Sequence, residues 1–591
     1  LMEFFALHHL PAELAVRCYK LYGESTVELL YDDPYLLMDE GLEAPFGAVD
    51  RFAIELGVSG DDPRRVEAGI LFELNYNLSA GHCFLPEEKL TPATAQLLSI
   101  EADSVKEGIE RLCSADRLVR TTLTGITICY LPQIQEAEVY SALRLLQFAA
   151  QHFPEPSGLN RMLRRAAADS GVEYSAQQEQ AIRESATSGV LLVTGGPGTG
   201  KTTILKGILS LLGQMQLRCV LAAPTGRAAK RLTEVTGEDA STIHRLLEAG
   251  IDPGTGKMVF ARDEDNLLKA DAVIVDEMSM VDIQLLHSLL RAIPQGKRLI
   301  LVGDPDQLPP VGPGAPFADC LRSAMLPTVR LTEIFRQAQE SLIVMNAHRV
   351  NQGILPDLKD KKHDFFFMPR RSEEDVCQTI AELCATRLPK NMGIPADQIQ
   401  VLSPTRKGAA GTGNLNRLLQ QALNPAAPAK KERAFGDFSF REGDRVMQIR
   451  NNYDIMWKKL DGSQVGTGIF NGDVGFIERI DKDAGTMLVI FDEDRYVTYD
   501  FSQLDELELA YAVTVHKSQG SEFPIVVMPV SWFPPVLATR NLLYTAVTRG
   551  KQVVVLVGSE GRMHAMVDNN RIKMRYSGLK YRLQNLMEVN L

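Results

Sequence analysis

Val190-Leu191-Leu192-Val193-Thr194 runs into Gly195-Gly196-Pro197-Gly198-Thr199-Gly200-Lys201-Thr202-Thr203, an apolar run, then a glycine-rich loop, then a helix start. The apolar run reads as a buried strand. Gly195 and Gly200, with Lys201 and Thr202 directly behind, meet the phosphate-loop pattern at every required position. Glycines let the backbone curl so that N–H groups turn inward at phosphate oxygens, and the following helix N-terminus adds partial positive charge. On this reading residues 195–203 cradle a nucleoside triphosphate. Lys201 reaches its β- and γ-phosphates and the Thr202 hydroxyl holds Mg²⁺.

Pro253-Gly254-Thr255-Gly256-Lys257 repeats letters of the same loop in a different setting. Met258 follows Lys257, Ile251 stands at the early glycine position, and no apolar strand precedes. A Pro-Gly-Thr-Gly run before Met258-Val259-Phe260 predicts a hairpin turn rather than a second nucleotide loop.

Outward from the loop, buried strands alternate with helices from Gly189 onward. Strands are predicted at 190–194, 219–223, 272–275 and 299–302, each ending in a polar or glycine-rich loop. That pattern predicts a parallel sheet with its working edge at the strand C-termini. A second set at 399–403, 525–530 and 552–557 predicts a second α/β domain. Between them, 436–508 reads as short strands with turns at Asn471-Gly472-Asp473 and Asp481-Lys482-Asp483-Ala484-Gly485, a small inserted β-barrel. Residues 1–85 read as helical, and 86–151 as a winged-helix-like unit around Gly125-Ile126-Thr127-Ile128-Cys129-Tyr130-Leu131. Residues 152–171, opening with His152-Phe153-Pro154-Glu155-Pro156-Ser157-Gly158, read as a linker. The two α/β domains are placed at 172–335, with a hairpin insert at 246–264, and at 336–591.

At 591 residues the chain has room for roughly three to five domains. Its 45% hydrophobic and 23% charged residues are those of a folded globular protein. No apolar run approaches the roughly 20 residues a membrane helix needs. The chain opens on Leu1 without a basic n-region or cleavage site, and a segment preceding Leu1 is left open. Eight scattered cysteines with no Cys-x-x-Cys pair argue against zinc and a disulfide framework and point to the cytoplasm. A net charge of −12 does not announce a nucleic-acid binder, but a local basic groove is compatible with it.

The strand Ala272-Val273-Ile274-Val275 ends in Asp276-Glu277. Asp276 is placed to bind Mg²⁺ through its water shell, and Glu277 to act as general base for an attacking water. The strand Leu299-Ile300-Leu301-Val302 runs into Gly303-Asp304-Pro305-Asp306-Gln307, where Gln307 is within reach of a γ-phosphate or the water. Hydrolysis needs further positive charge on the transition state. Arg336, in Leu331-Thr332-Glu333-Ile334-Phe335-Arg336, and Arg549, in Tyr544-Thr545-Ala546-Val547-Thr548-Arg549, are the candidates. To reach the nucleotide they must cross a cleft between the two α/β domains.

This ordered set resembles the superfamily 1 helicases. Ser175-Ala176-Gln177-Gln178 is similar to their adenine-reading motif, with Gln178 as the base contact, and 195–203 to motif I. Ala223-Pro224-Thr225-Gly226-Arg227-Ala228-Ala229 is similar to motif Ia, and Ser241-Thr242-Ile243-His244-Arg245-Leu246 to motif Ib. Asp276-Glu277-Met278-Ser279 corresponds to motif II, Gly303 to Leu308 to motif III, and Phe335-Arg336-Gln337 to motif IV. Val513-Thr514-Val515-His516-Lys517-Ser518-Gln519-Gly520 resembles motif V, and Tyr544 to Arg549 motif VI. Within that superfamily, Asn346-Ala347-His348-Arg349-Val350-Asn351, Ser403-Pro404-Thr405-Arg406-Lys407-Gly408, Met447 to Asp454 and Phe470-Asn471-Gly472-Asp473 resemble the RecD-like DNA helicases. The helical N-terminus resembles the extension of the free-standing RecD-like type. The family's helix-hairpin-helix turn is Gly-Ile-Gly-like, whereas Ala44-Pro45 stands here. Proline has no N–H to give a phosphate, so DNA-binding and structural roles both stay open for that element.

The resemblance implies an α/β fold of two RecA-like domains carrying an inserted β-hairpin and an SH3-like barrel behind a mainly helical N-terminal domain. It implies an ATP- and Mg²⁺-dependent DNA helicase, acting as a monomer and translocating 5′→3′ on single-stranded DNA in repair or recombination. Single strands and duplex junctions are its expected partners, no membrane is, and contact with a single-strand-binding protein is left open. Thr225, Arg227, His244, Thr405, Arg406 and His516 are the expected phosphate contacts, and the 253–260 hairpin the pin that splits the duplex. The expected compartment is a bacterial-type cytoplasm, at the nucleoid when on DNA. Two alternatives stand beside this: an RNA helicase of the same superfamily, since phosphate contacts do not read the sugar, and an ATP-gated scaffold without turnover.

Overall fold

Strands buried on both faces must be apolar throughout, and that requirement organises this molecule around two parallel sheets. The computed structural model describes the chain apart from residues 39–41, 43, 253–257, 360–363, 493, 572–573 and 590–591, and apart from the side chains of 13, 336, 337 and 586–589. Across the first sheet the strands run Thr328–Leu331, Val190–Gly195, Arg298–Gly303, Ala272–Val275, Cys219–Ala223, Ala240–Thr242. Every pairing is parallel. Val190 to Val193, Ala272 to Val275 and Leu299 to Val302 are at most 1% exposed. Helices Leu159–Ser170, Ala176–Thr187 and Lys201–Gln214 cover one face. Pro132–Ala149, Ile283–Ala292 and Leu579–Val589 cover the other.

The second sheet is also wholly parallel, in the order Phe365–Pro369, Gly550–Gly558, Phe523–Val530, Ile399–Ser403, Ala512–Thr514. Its insert is a seven-stranded antiparallel curled sheet spanning Arg445–Gln448 to Leu507–Leu509, preceded by the hairpin Glu432–Phe435/Phe438–Arg441. Gly485 (φ +67°) turns the hairpin Val474–Asp481/Thr486–Phe491, and Gly472 (φ +98°) turns the chain between the unpaired strands Val465–Ile469 and Val474–Asp481, both in the left-handed region, which favours glycine. These are two RecA-like domains with an SH3-like insert, behind a mainly helical N-terminal region. Residues 84–149 form a three-stranded antiparallel sheet with the helices Glu87–Leu98, Ala102–Ser114 and Pro132–Ala149.

All seven parallel strands expected from the sequence are present, some longer by one or two residues at an end. The four that sequence patterning does not reveal are the four edge strands, Ala240–Thr242, Thr328–Leu331, Phe365–Pro369 and Ala512–Thr514. Three of the four are only three or four residues long and pair on one side only, too little for an apolar signature, whereas Phe365-Phe366-Phe367-Met368 is an apolar run that the sequence reading leaves unassigned. The stretch 152–171 is not a plain linker. It holds the helix Leu159–Ser170, whose Leu159 and Leu163 are buried against the first sheet's helices. Its prolines precede the helix, and the apolar residues behind them recur at helical spacing among arginines. The turn at 253–257 lies outside the described residues, but its flanks pair as an antiparallel hairpin, Ala249–Ile251 against Met258–Phe260.

Candidate active site and nucleic-acid face

The first sheet delivers the glycine loop from an inner strand into the N-terminus of Lys201–Gln214. Gly198 (φ +72°) and Gly200 (φ +81°) sit in the left-handed region. A Cβ on Gly200 would lie 2.3 Å from Gln178 Nε2, and one on Gly198 2.8 Å from Ala338. Glycine is therefore required on both counts. Thr199 Oγ1 donates to Gly196 O at 2.8 Å. The Lys201 ammonium folds over the loop, donating to Gly195 O and, at 3.1 Å, to Gly196 O. Thr202 and Thr203 are half-buried in the first helical turn. Pro197 O meets His348 Nε2 of the second domain at 2.9 Å.

Gln178 caps its own helix, accepting from Ser175 N at 3.1 Å. Its Nε2 is buried beside Gly200 and has no partner among the described residues. A buried amide donor without an acceptor is costly, and an acceptor edge of a base beside the loop would relieve it.

At the end of Ala272–Val275, Asp276 Oδ1 accepts from Glu277 N at 2.8 Å, while Glu277 itself turns through φ +56°. Burial and the adjacent Glu277 charge push the Asp276 carboxyl up to about 6. A divalent cation at that carboxylate would offset both effects, so the donor set suits Mg²⁺.

Across the cleft, Arg549 is 2% exposed. Its Nη2 donates to Gln307 Oε1 at 2.8 Å and its Nη1 to Ser521 O at 3.2 Å, and Nη1 lies 3.9 Å from Glu277 Oε1. Its Nε is buried and has no partner among the described residues. The same cleft holds Tyr544 OH to Asp304 Oδ2 at 2.6 Å, Leu308 N to Thr545 Oγ1 at 3.0 Å and Gln519 Nε2 to Leu308 O at 2.9 Å. Five expected residues, Lys201, Asp276, Glu277, Gln307 and Arg549, thus lie along the walls of one cleft. The Arg336 side chain lies outside the described residues.

The expected nucleic-acid contacts lie at the C-terminal strand edges of both sheets. Thr225 caps the helix Gly226–Thr236, accepting from Ala228 N at 3.3 Å, and a Cβ on Gly520 would lie 2.6 Å from its Oγ1. Arg227 Nη1 donates to Ser521 Oγ at 3.1 Å, with Phe523 beneath the guanidinium, and faces the charges of Asp473 and Asp492 in the inserted sheet. It is engaged at a three-way junction instead of standing free. His244 packs 5.8 Å from Phe260 at the hairpin base. Burial lowers the pKa of His244 and His516, leaving both neutral at pH 7. Thr405 lies in the loop after Ile399–Ser403, where Arg406 pairs with Glu508, which also takes Lys517 Nζ at 2.7 Å.

Four family models match the chain. They are an ATP-dependent RecD2 DNA helicase HHH domain over residues 1–84, an AAA domain over 178–313, an ATP-dependent RecD-like DNA helicase SH3 domain over 415–491, and a UvrD-like helicase C-terminal domain over 509–557. The chain is 33% identical over 561 residues to the ATP-dependent RecD2 DNA helicase of Deinococcus radiodurans, covering 92% of this chain and 72% of that one. The chain belongs to the RecD2 family of ATP-dependent DNA helicases. The RecBCD enzyme subunit RecD of Mycolicibacterium smegmatis is 31% identical over 449 residues, 69% of this RecD2 helicase and 75% of that chain. Among solved structures, Bacteroides Pif1 bound to ssDNA matches with 18% identity and a TM-score of 0.41, covering 71% of this chain and 98% of that one.

Sequence reasoning passed over two members of the RecD2 cleft. Arg231 Nη1 lies 3.6 Å from Glu277 Oε1, and its other nitrogen pairs with Glu522. It sits one helical turn after Arg227, and that i, i+4 spacing was the available signal. His348 lay inside a quoted motif, but its partner Pro197 O is 151 residues away.

Proposed function

We propose that this RecD2 helicase translocates 5′→3′ on single-stranded DNA and opens duplexes at junctions, as a monomer in a bacterial-type cytoplasm, during repair or recombination. The observation that carries the reading is Arg549 of the second domain seated on Gln307 and close to Glu277 of the first. In this reading Lys201 exchanges its loop carbonyls for phosphate oxygens, and Gln178 Nε2 takes a base acceptor. Asp276 and Thr202 would hold Mg²⁺, which neutralises charge on the phosphates. Glu277 accepts the proton of the attacking water, and Gln307 orients that water. Arg549, with Arg336, stabilises the charge that develops on the transferred phosphoryl group. Once that charge is gone the second domain loses a partner in the first, and the cleft opens.

A strand laid over Thr225, His244, Thr405, Arg406 and His516 would be gripped alternately by the two halves. Phosphate-centred contacts give little sequence preference and strong salt dependence. Ile251, Met258 and Val259 in the hairpin flanks are 49%, 43% and 46% exposed, an apolar surface suited to prising apart a base pair. The test is unwinding of duplexes carrying a 5′ or a 3′ single-stranded tail. Opening of the 5′-tailed duplex is expected, and activity confined to the 3′-tailed one would overturn the polarity. Stronger stimulation of hydrolysis by an RNA oligonucleotide than by DNA of the same sequence would replace DNA with RNA as substrate.

A further inference from the structure

The family matches end at residue 557, yet the chain continues and returns to the first domain. Helix Glu560–Asp568 packs on the second domain through Met563, Met566 and Val567. The chain then crosses back, and Leu579 and Leu583 are fully buried in the core under the first sheet. On the way, Arg575 enters the loop that follows Gln307. Its Nη1 donates to Gly312 O at 2.7 Å and to Gly314 O at 2.6 Å, and its Nη2 donates to Pro310 O.

A guanidinium shared among three carbonyls holds the loop in one shape, and a planar fork does this better than a point charge. The N-terminal region closes the same grip. Gly314 N donates to Gly81 O at 2.9 Å, and a Cβ on Gly81 (φ +90°) would lie 2.4 Å from the Arg575 guanidinium. Tyr576 is fixed beside it, its O accepting from Cys83 N at 2.7 Å and its N donating to His82 Nδ1 at 3.1 Å.

The gripped loop has two neighbours of consequence. Upstream, Leu308 is tied to Thr545 and Gln519, and Gln307 to Arg549. Between the held carbonyls Val311 is 74% exposed, and Gln519, whose side chain holds Leu308 O, donates its backbone N–H to His516 O at 3.3 Å. Alongside, a cavity of about 440 Å³ lined by Gln307, Pro309, Pro310, Met574 and Arg575 leaves room for the loop to shift.

We propose that Arg575 is a positioning residue for DNA-stimulated hydrolysis, its grip on the 310–314 loop passing occupancy of the His516 face to Gln307. The inference rests on the reading of that face as the single-strand path.

The test is ATP turnover of the full chain with and without oligothymidylate, for wild type, R575A and R575K. R575A is expected to keep DNA-free turnover and the KM for ATP within about twofold, while turnover at saturating oligothymidylate falls about tenfold. R575K should recover part of the stimulation. Wild-type stimulation in R575A would overturn the proposal, and so would equal loss of DNA-free and DNA-stimulated turnover. Should R575A fail to fold, R575K at the wild-type melting temperature decides: reduced stimulation supports the role and undiminished stimulation overturns it. Wild type that oligothymidylate does not stimulate would defeat the single-strand path itself, a separate failure.

Discussion

Val190–Gly195 and Ile399–Ser403 are strands of one kind, inner, parallel and flanked on both sides, and they end at equivalent edges of their sheets. Past Gly195 the chain offers backbone N–H groups, two left-handed glycines and Lys201. Past Ser403 it offers Thr405, Arg406 and Lys407, with Ser403 Oγ donating to Ala410 O at 2.7 Å to hold the loop. A cradle of amides fits one compact polyanion at a fixed point. In the proposed reading the half-buried Thr405 and the exposed Arg406 and Lys407 suit phosphates that slide past, and Arg406 and Lys517 meanwhile share Glu508. The fold supplies the edge and the residues supply the chemistry.

The largest expected effect is at the first edge. K201A should lower DNA-stimulated turnover by about 10³-fold, read as phosphate release. Half the wild-type rate would break the contrast between a fixed cradle and a sliding edge. Next is R549A, expected to lower kcat by about 10²-fold with nucleotide affinity little changed. A loss confined to affinity would make Arg549 a binding residue instead.

Effects at the second edge should be smaller and salt-dependent. R406A should weaken oligothymidylate binding and flatten the slope of log affinity against log salt by about one. H516Q should weaken binding with the slope unchanged, because burial keeps His516 neutral at pH 7. Equal slopes for both variants would erase the distinction between charge and hydrogen bond. The smallest effect is expected for K230A. The Lys230–Asp492 pair, 3.4 Å apart and exposed, joins the first domain to the inserted sheet and is worth about 0–1 kcal/mol in thermal unfolding.

What could be read from the sequence was local. Gly195 to Thr203 is contiguous, so strand, turn and helix start announce themselves together, and Asp276-Glu277 follows its strand directly. The inserted sheet was legible because its turns carry Gly472 and Gly485. The edge strands Ala240–Thr242, Thr328–Leu331 and Ala512–Thr514 were not, since three or four half-paired residues need no apolar run, while the run Phe365 to Met368 was open to reading and not assigned. Nor could Arg231 or Arg575 be assigned, because what each does depends on partners far along the chain. Arg575 and Gly312 lie 263 residues apart, and no periodicity connects them. The same limit explains why Pro253-Gly254-Thr255-Gly256-Lys257 looks like the nucleotide loop until the strand before it is sought.

That the two sheets work through one cleft is tested most directly by a double-mutant cycle on Gln307 and Arg549, with kcat for ATP as the readout. Their hydrogen bond at 2.8 Å joins the two domains. If they act as a unit, Q307A and R549A each lower kcat, and the double variant is little worse than R549A alone. Losses that multiply independently would contradict a shared cleft.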